Sequence, residues 1–210
     1  MAAPPLRPSP ITPGLWPPAL DARALGLKWL LLDVDGVLTD GRLWFDRNGE
    51  MGELVKVFDV RDGLGIKLLA GAGIEVGILS ARTSPIVDKR SRDLGLREVL
   101  QGRDNKLDTF RDFLSRHGLD ASEVAYLADD LLDLAVLGAC GLSAAPADAV
   151  ADVRSRVHYV TAAGGGRGAV RELAERLLQA RGVWESIVER FAAPSAEPES
   201  PTDASEVHDS

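Results

Sequence analysis

Cysteine is almost absent from this chain of 210 residues: Cys140 is the single one, so no internal disulfide is available. A stapled secreted scaffold is excluded, and a lone thiol in a small core position fits a reducing cytoplasm. Histidine is nearly as scarce. His117, His158 and His208 show no metal-ligand spacing, which argues against zinc and leaves His117 and His158 structural. Aromatic residues make up 5% of the chain, and Trp29, Trp44 and Trp184 read as packing residues rather than base-stacking platforms. No apolar run approaches the ~18 residues of a membrane span, and the start lacks the basic-then-apolar pattern of a signal peptide. Positive charge is in deficit, 24 Lys and Arg against 32 Asp and Glu, for a net charge of −8. That balance argues against nucleic acid or an anionic membrane as partner. An anionic substrate would have to be drawn in by a local metal and a few basic side chains.

What the chain does have is a hydrophobic content of 45%, enough for one ordinary core. Residues 1–19 carry Pro4, Pro5, Pro8, Pro10, Pro13, Pro17 and Pro18, too many for a helix or central strand, and read as a disordered Pro-rich extension. Residues 193–210 form an acidic tail that buries too little surface to order itself. The globular part is therefore expected over residues 20–192.

Within it, short apolar runs alternate with helical patterns. Strands are expected at Trp29–Leu32, 42–45, 54–58, 74–79, Glu98–Leu100, 124–128, 141–144 and 158–161. Asn48-Gly49 marks a hairpin turn between the second and third. Helices are expected over 63–72 with Asp62 as cap, Pro85–Leu94, Lys106–His117, 131–137, 147–154, 169–181 and 184–191, with Gly95 and Gly118 as stops. This alternation predicts an α/β fold: a Rossmann-like parallel sheet with helices on both faces, a small protruding β-hairpin and no large cap domain.

The densest chemistry is in KWLLLDVDGVLTDG, residues 28–41. Trp29–Leu32 reads as a buried strand, and alternation makes Asp33 and Asp35 point the same way at its carboxyl end. Two like charges held that close call for a cation between them or a shared proton. The pair then reads as a nucleophile and a proton donor around magnesium, the apparatus of phosphoryl transfer. Asp-x-Asp-Gly is equally a strand-end turn, with Gly36 supplying a positive φ. Ligands of such sheets bind at the carboxyl ends of strands, so further polar groups are expected there. Strand 74–79 ends in Ser80-Ala81-Arg82, strand 98–100 leads to Lys106, and strand 124–128 ends in Asp129-Asp130. Arg82 follows Ser80 closely enough to reach substrate. Arg61 and Lys67 flank a glycine-containing turn that equally serves as a helix start.

In this order, DVDGVLTDG, Ser80, Lys106 and Asp129-Asp130-x-x-Asp133 resemble the four motifs of the haloacid dehalogenase superfamily of phosphotransferases. Within it, FDVRDGLGIKLL (58–69), QGRDNKL (101–107), DDLLDLAVL (129–137) and HYVTAAGGGRGAVREL (158–173) are similar to the 3-deoxy-D-manno-octulosonate 8-phosphate (KDO 8-phosphate) phosphatases. The resemblance spans about residues 28–190. It implies a cap-less, magnesium-dependent sugar-phosphate monoesterase serving lipopolysaccharide synthesis in the cytoplasm as a homotetramer paired through its hairpins.

The resemblance also implies roles. Asp33 is the nucleophile, and Asp35 protonates the sugar alkoxide and then activates water. Magnesium is held by Asp33, the backbone carbonyl of Asp35 and Asp129. Ser80 and Arg82 bind the phosphorylated substrate, Lys106 offsets transition-state charge, and Asp130 orients Lys106 or a water ligand. Arg61 and Arg167 are further substrate-binding candidates, Arg167 lying in a tail motif that can engage a neighbouring subunit. Asp133 reads rather as helix-start chemistry. The strings do not separate KDO 8-phosphate from a nine-carbon, sialic-acid-type 9-phosphate. Two departures from the family pattern, Ala81 and Ala128 where glycine is usual, raise a third reading: a phosphosugar-binding homologue with weakened turnover. Alanine costs little there if φ is negative.

Overall fold

The structure is a computed structural model that describes residues 12–45, 47 and 53–193. The sheet strands are β1 (Trp29–Leu32), β4 (Glu75–Leu79), β5 (Glu98–Leu100), β6 (Val124–Leu127), β7 (Leu142–Ala145) and β8 (Tyr159–Val160). They form one parallel sheet in the order β5-β4-β1-β6-β7-β8. The two short strands β2 (Trp44–Phe45) and β3 (Glu53–Val55) pair antiparallel apart from it. The helices are α1 (Asp21–Gly26), α2 (Val60–Gly71), α3 (Pro85–Leu94), α4 (Lys106–His117), α5 (Leu134–Leu137), α6 (Ala151–Arg154), α7 (Ala169–Ala180) and α8 (Trp184–Ala192).

Side-chain alternation along β1 explains why both faces carry helices. Leu30 and Leu32 enter one core with Ile66 and Leu69 of α2 and Leu173 and Leu177 of α7. Trp29 and Leu31 enter the other with Phe110 and Phe113 of α4, Val136 of α5 and Val153 of α6. All four β1 residues are buried, so the strand reads as a continuous apolar run. The chain lays β4 and β5 on one side of β1, then crosses back to place β6 on the other. The carboxyl end of β1 is thus the switch point, where a crevice opens.

Several boundaries differ from the sequence expectation. Residues 12–19, expected outside the domain, pack on it: Gly14 N–H donates to the Val160 carbonyl at 2.8 Å, and Trp16 meets Tyr159 edge-on with centroids 5.1 Å apart. The aromatic area of Trp16 outweighs the proline-rich context. Residues 1–11, the tail from 194 onward and the Asn48-Gly49 turn lie outside the described residues. The expected strands 42–45 and 54–58 shrink to β2 and β3. Helix α2 starts at Val60, because Asp59 rather than Asp62 is its cap and accepts from Arg61 N–H. The expected helix 131–137 divides into a 3-10 turn, Leu131–Asp133, followed by α5, and 147–154 contracts to α6.

Candidate active site

The segment after β1 is a tight loop in which the N–H groups of Val37, Leu38 and Thr39 all converge on the Val34 carbonyl. Thr39 Oγ1 accepts from Gly41 N–H, and Asp40 accepts from Arg42 N–H. Gly36 has φ +87°, and a Cβ there would lie 2.0 Å from Asp129 Oδ2. Glycine at this turn is therefore what lets the acid after β6 approach the acids after β1. The turn reading of Asp-x-Asp-Gly is correct as geometry, and the turn serves the site.

Asp33, Asp35, Ser80, Ala81, Arg82, Lys106, Asp129, Asp130, Leu132 and Asp133 line an open cleft of about 190 Å³. That is below the roughly 300 Å³ at which pockets begin to enclose a small ligand. The cleft suits a phosphate, and whatever the phosphate is attached to must project out of it.

At its floor, Lys106 Nζ lies 3.1 Å from Asp33 Oδ1 and 2.6 Å from Asp133 Oδ1, with Tyr126 Oη at 3.4 Å. Lys106 opens α4, where a cation opposes the helix dipole. Its contacts with the Asp33 and Asp133 carboxylates, not the helix, hold the buried ammonium there. Burial alone would lower its pKa, but the charges of Asp33 and Asp133 more than offset this and raise it. Burial, with the Asp133 charge added, pushes Asp33 up to about 6 against the opposing pull of Lys106. Burial likewise pushes Asp129 up to about 7, reinforced by Asp33, Asp133 and Asp130.

Carboxylate oxygens of Asp33, Asp129 and Asp133 lie within 4.8 Å of one another, and Asp129 Oδ1 is buried without a hydrogen-bond partner. A group of hard oxygen donors that repel one another, one of them orphaned, fits a small divalent cation. Within the trio, Asp133 is already committed: it accepts from Lys106 Nζ at 2.6 Å and from Tyr126 Oη. Asp33, Asp129 and the loop backbone beside them are left for the ion.

The second group at the site comes from the hairpin. Lys56, just after β3, has a side chain 1% exposed and pairs with the Asp35 carboxylate and, at 2.8 Å, with Glu53. Arg82 Nε lies 3.3 Å from the other Asp35 oxygen, and Ser84 Oγ donates to Glu53 at 3.0 Å. Ser80, 3% exposed, is tied by its backbone to Leu100 and Arg103, which fixes its place in the cleft wall.

Most expected residues converge: Asp33, Asp35, Ser80, Arg82, Lys106 and Asp129 all line the cleft. Asp130 also lines the cleft, but the carboxylate that meets Lys106 from this segment is Asp133, at 2.6 Å. Asp130 is exposed and accepts from Leu131 N–H, capping the 3-10 turn that swings Asp133 inward. Arg61 and Arg167 are not in the cleft. The Arg61 guanidinium holds Asp59 and donates to the Arg167 carbonyl at 3.0 Å, and the Arg167 side chain is exposed. Neither Ala81 nor Ala128 strains the backbone, since among the described residues only glycines have positive φ. Ala128 is fully buried in the core shared with Tyr126. Sequence reasoning misses Lys56, Glu53 and Tyr126. The signal for Lys56 was a lone cation inside the apolar run LVKVF.

No family model matches the chain. The 3-deoxy-D-manno-octulosonate 8-phosphate phosphatase KdsC of Haemophilus influenzae is 46% identical over 156 residues, which span 74% of this chain and 85% of that protein. The Escherichia coli K12 protein of the same name is 44% identical over 161 residues, 77% of this chain and 84% of its own length. Among solved structures, the 3-deoxy-D-manno-octulosonate 8-phosphate phosphatase of Moraxella catarrhalis, in complex with magnesium, phosphate and KDO, superposes with a TM-score of 0.78. It is 33% identical, over 82% of this chain and 98% of that one.

Proposed function

The chain belongs to the 3-deoxy-D-manno-octulosonate 8-phosphate phosphatase family of haloacid dehalogenase-type phosphatases, and from that premise we propose that it hydrolyses KDO 8-phosphate to KDO and phosphate with magnesium. The observation that carries the reading is the buried Asp33–Lys106 pair at 3.1 Å, grouped with Asp129, one of whose oxygens is buried and unpartnered, on the floor of a phosphate-sized cleft.

Asp33 attacks phosphorus, and the bond from phosphorus to the sugar oxygen breaks as the aspartyl phosphate forms. Lys106, held by Asp133 and Tyr126, neutralises charge that builds on the phosphoryl oxygens, and Ser80 donates to one of them. Asp35 gives the departing alkoxide its proton, then takes one from the water that attacks the phosphoaspartate. Asp33, the Asp35 backbone carbonyl and Asp129 would hold the magnesium ion, which supplies charge neutralisation to the phosphate. Arg82 stands at the rim, where the sugar acid leaves the cleft.

We further assign the exposed hairpin face, Leu43, Trp44, Phe45, Leu54 and Val55, to the interface of a cytoplasmic homotetramer, since an apolar edge of this kind needs a partner. A substrate role for Arg61 and Arg167 then requires a neighbouring protomer. The product is assigned to lipopolysaccharide synthesis. The test is phosphate release from KDO 8-phosphate and from nine-carbon 9-phosphates with magnesium present. Turnover is expected to favour the eight-carbon acid, and release from neither would sink the reading.

A further inference from the structure

The hairpin is joined to the site by more than its apolar face. Lys56 is buried although its neighbours Leu54, Val55 and Val57 are 43%, 46% and 62% exposed, so no core behind it explains its burial. Taking an ammonium out of water costs several kcal/mol unless it is paired, and Lys56 spends its pairing on Asp35 and Glu53. Glu53 is in turn fixed by Ser84, which precedes α3, and lies 3.9 Å from Arg82. The Asp35 carboxylate is thus gripped on one oxygen by the hairpin and on the other by the loop after β4. Two cations from independent elements fix both its position and its rotation.

We propose that Lys56 is a positioning residue for the leaving-group step: from the hairpin it holds the Asp35 carboxyl group at the angle from which its proton reaches the departing sugar oxygen. The inference rests on the phosphatase reading above. In that step the bond from Asp33 oxygen to phosphorus forms and the bond from phosphorus to sugar oxygen breaks. The electron pair goes to the sugar oxygen; Asp35 enters the step carrying a proton, gives it to that oxygen, and is left as the carboxylate that Lys56 and Arg82 pair with. Misaligned by even an ångström, a general acid loses much of its effect. The hairpin that would assemble the oligomer thereby also sets the acid.

The test uses the full chain with saturating magnesium and compares kcat/KM on two substrates. For a covalent mechanism, kcat/KM reports the steps up to leaving-group departure. A sugar alkoxide needs a proton to leave, whereas p-nitrophenolate leaves with little help. Lys56→Met is expected to lower kcat/KM about 10–100-fold on KDO 8-phosphate and less than about threefold on p-nitrophenyl phosphate, and Lys56→Arg to recover most of the loss. Should Lys56→Met not fold, Lys56→Gln carries the same comparison. An equal loss on both substrates, or none on either, overturns the positioning role and leaves the phosphatase reading standing. A parent protein that releases phosphate from neither substrate removes both.

Discussion

The acids and lysine at the sheet edge and the acids and lysine on the hairpin are both ion-pair networks around one cleft, but they rest on different supports. Asp33, Lys106 and Asp133 sit just after β1, at the start of α4 and in the turn before α5, next to elements packed in the two cores. Glu53 and Lys56 sit on and beside a strand of three residues whose apolar side chains point to solvent. In the proposed mechanism the attack on phosphorus is therefore built on the sheet, and the proton transfer is held from the hairpin, an element outside both cores.

The two networks should differ most at Lys106. Lys106→Met leaves Asp33 and Asp133 buried without their cation, so kcat is expected to fall roughly 10²–10³-fold. A denaturation scan should also show a lower Tm, since breaking a buried pair is destabilising. Lys56→Met, the matching change on the hairpin, strips the cation from the part-exposed Asp35 and from Glu53, on an element outside both cores, and should lower Tm by clearly less than Lys106→Met. Equal losses of Tm would erase the distinction. Next in size, Gly36→Ala forces a Cβ toward Asp129 Oδ2 at a φ of +87° and should cost about 10²-fold in kcat with any leaving group. An unaltered rate would mean that the Asp129 approach is not needed.

On the hairpin side, Trp44→Ser with Phe45→Ser is expected to shift the protein to a smaller species in size-exclusion chromatography with light scattering. Its kcat/KM on sugar phosphate should drop by about tenfold, with aryl phosphate less affected. A variant that keeps the parent mass would contradict the interface assignment.

The smallest effect lies behind the site. Asp62, on α2, accepts from Arg171 N–H in the first turn of α7 at 2.7 Å, while its other oxygen is buried and unpartnered. Burial pushes it up to about 6 from an ordinary value of 3.8. The folded state therefore holds this proton where the unfolded chain has released it. The associated stability is full below about pH 4 and is lost as pH rises through about 6. Asp62→Asn should remove its share of that slope, to which Asp33 and Asp129 also contribute, changing the Tm difference between pH 4 and pH 7 by a few degrees. A parallel pair of profiles would count against it.

Much of this was legible in the sequence because alternation and strand-end chemistry are local rules. Asp33, Ser80, Lys106 and Asp129 each follow an apolar run directly or by one loop, so a parallel sheet brings them together whatever the details of packing. What was not legible depends on the phase of short elements or on distant pairing. Asp130 and Asp133 compete for the inward position, and the 3-10 turn between them, not the spacing, awards it to Asp133. Arg61 leaves the cleft because Asp59 caps α2 earlier than expected and aims that side chain at the loop before α7. Lys56 meets Asp35 across 21 residues, through a hairpin whose placement no local pattern dictates.

The proposed chemistry requires Asp33 to carry the phosphoryl group, and peptide mapping of an acid-quenched turnover mixture tests this most directly. With KDO 8-phosphate and magnesium, a phosphoryl adduct is expected on the peptide containing Asp33 in the parent protein and in Lys56→Met, and neither adduct nor turnover in Asp33→Asn. Turnover that persists in Asp33→Asn, or an adduct on any other residue, would contradict it.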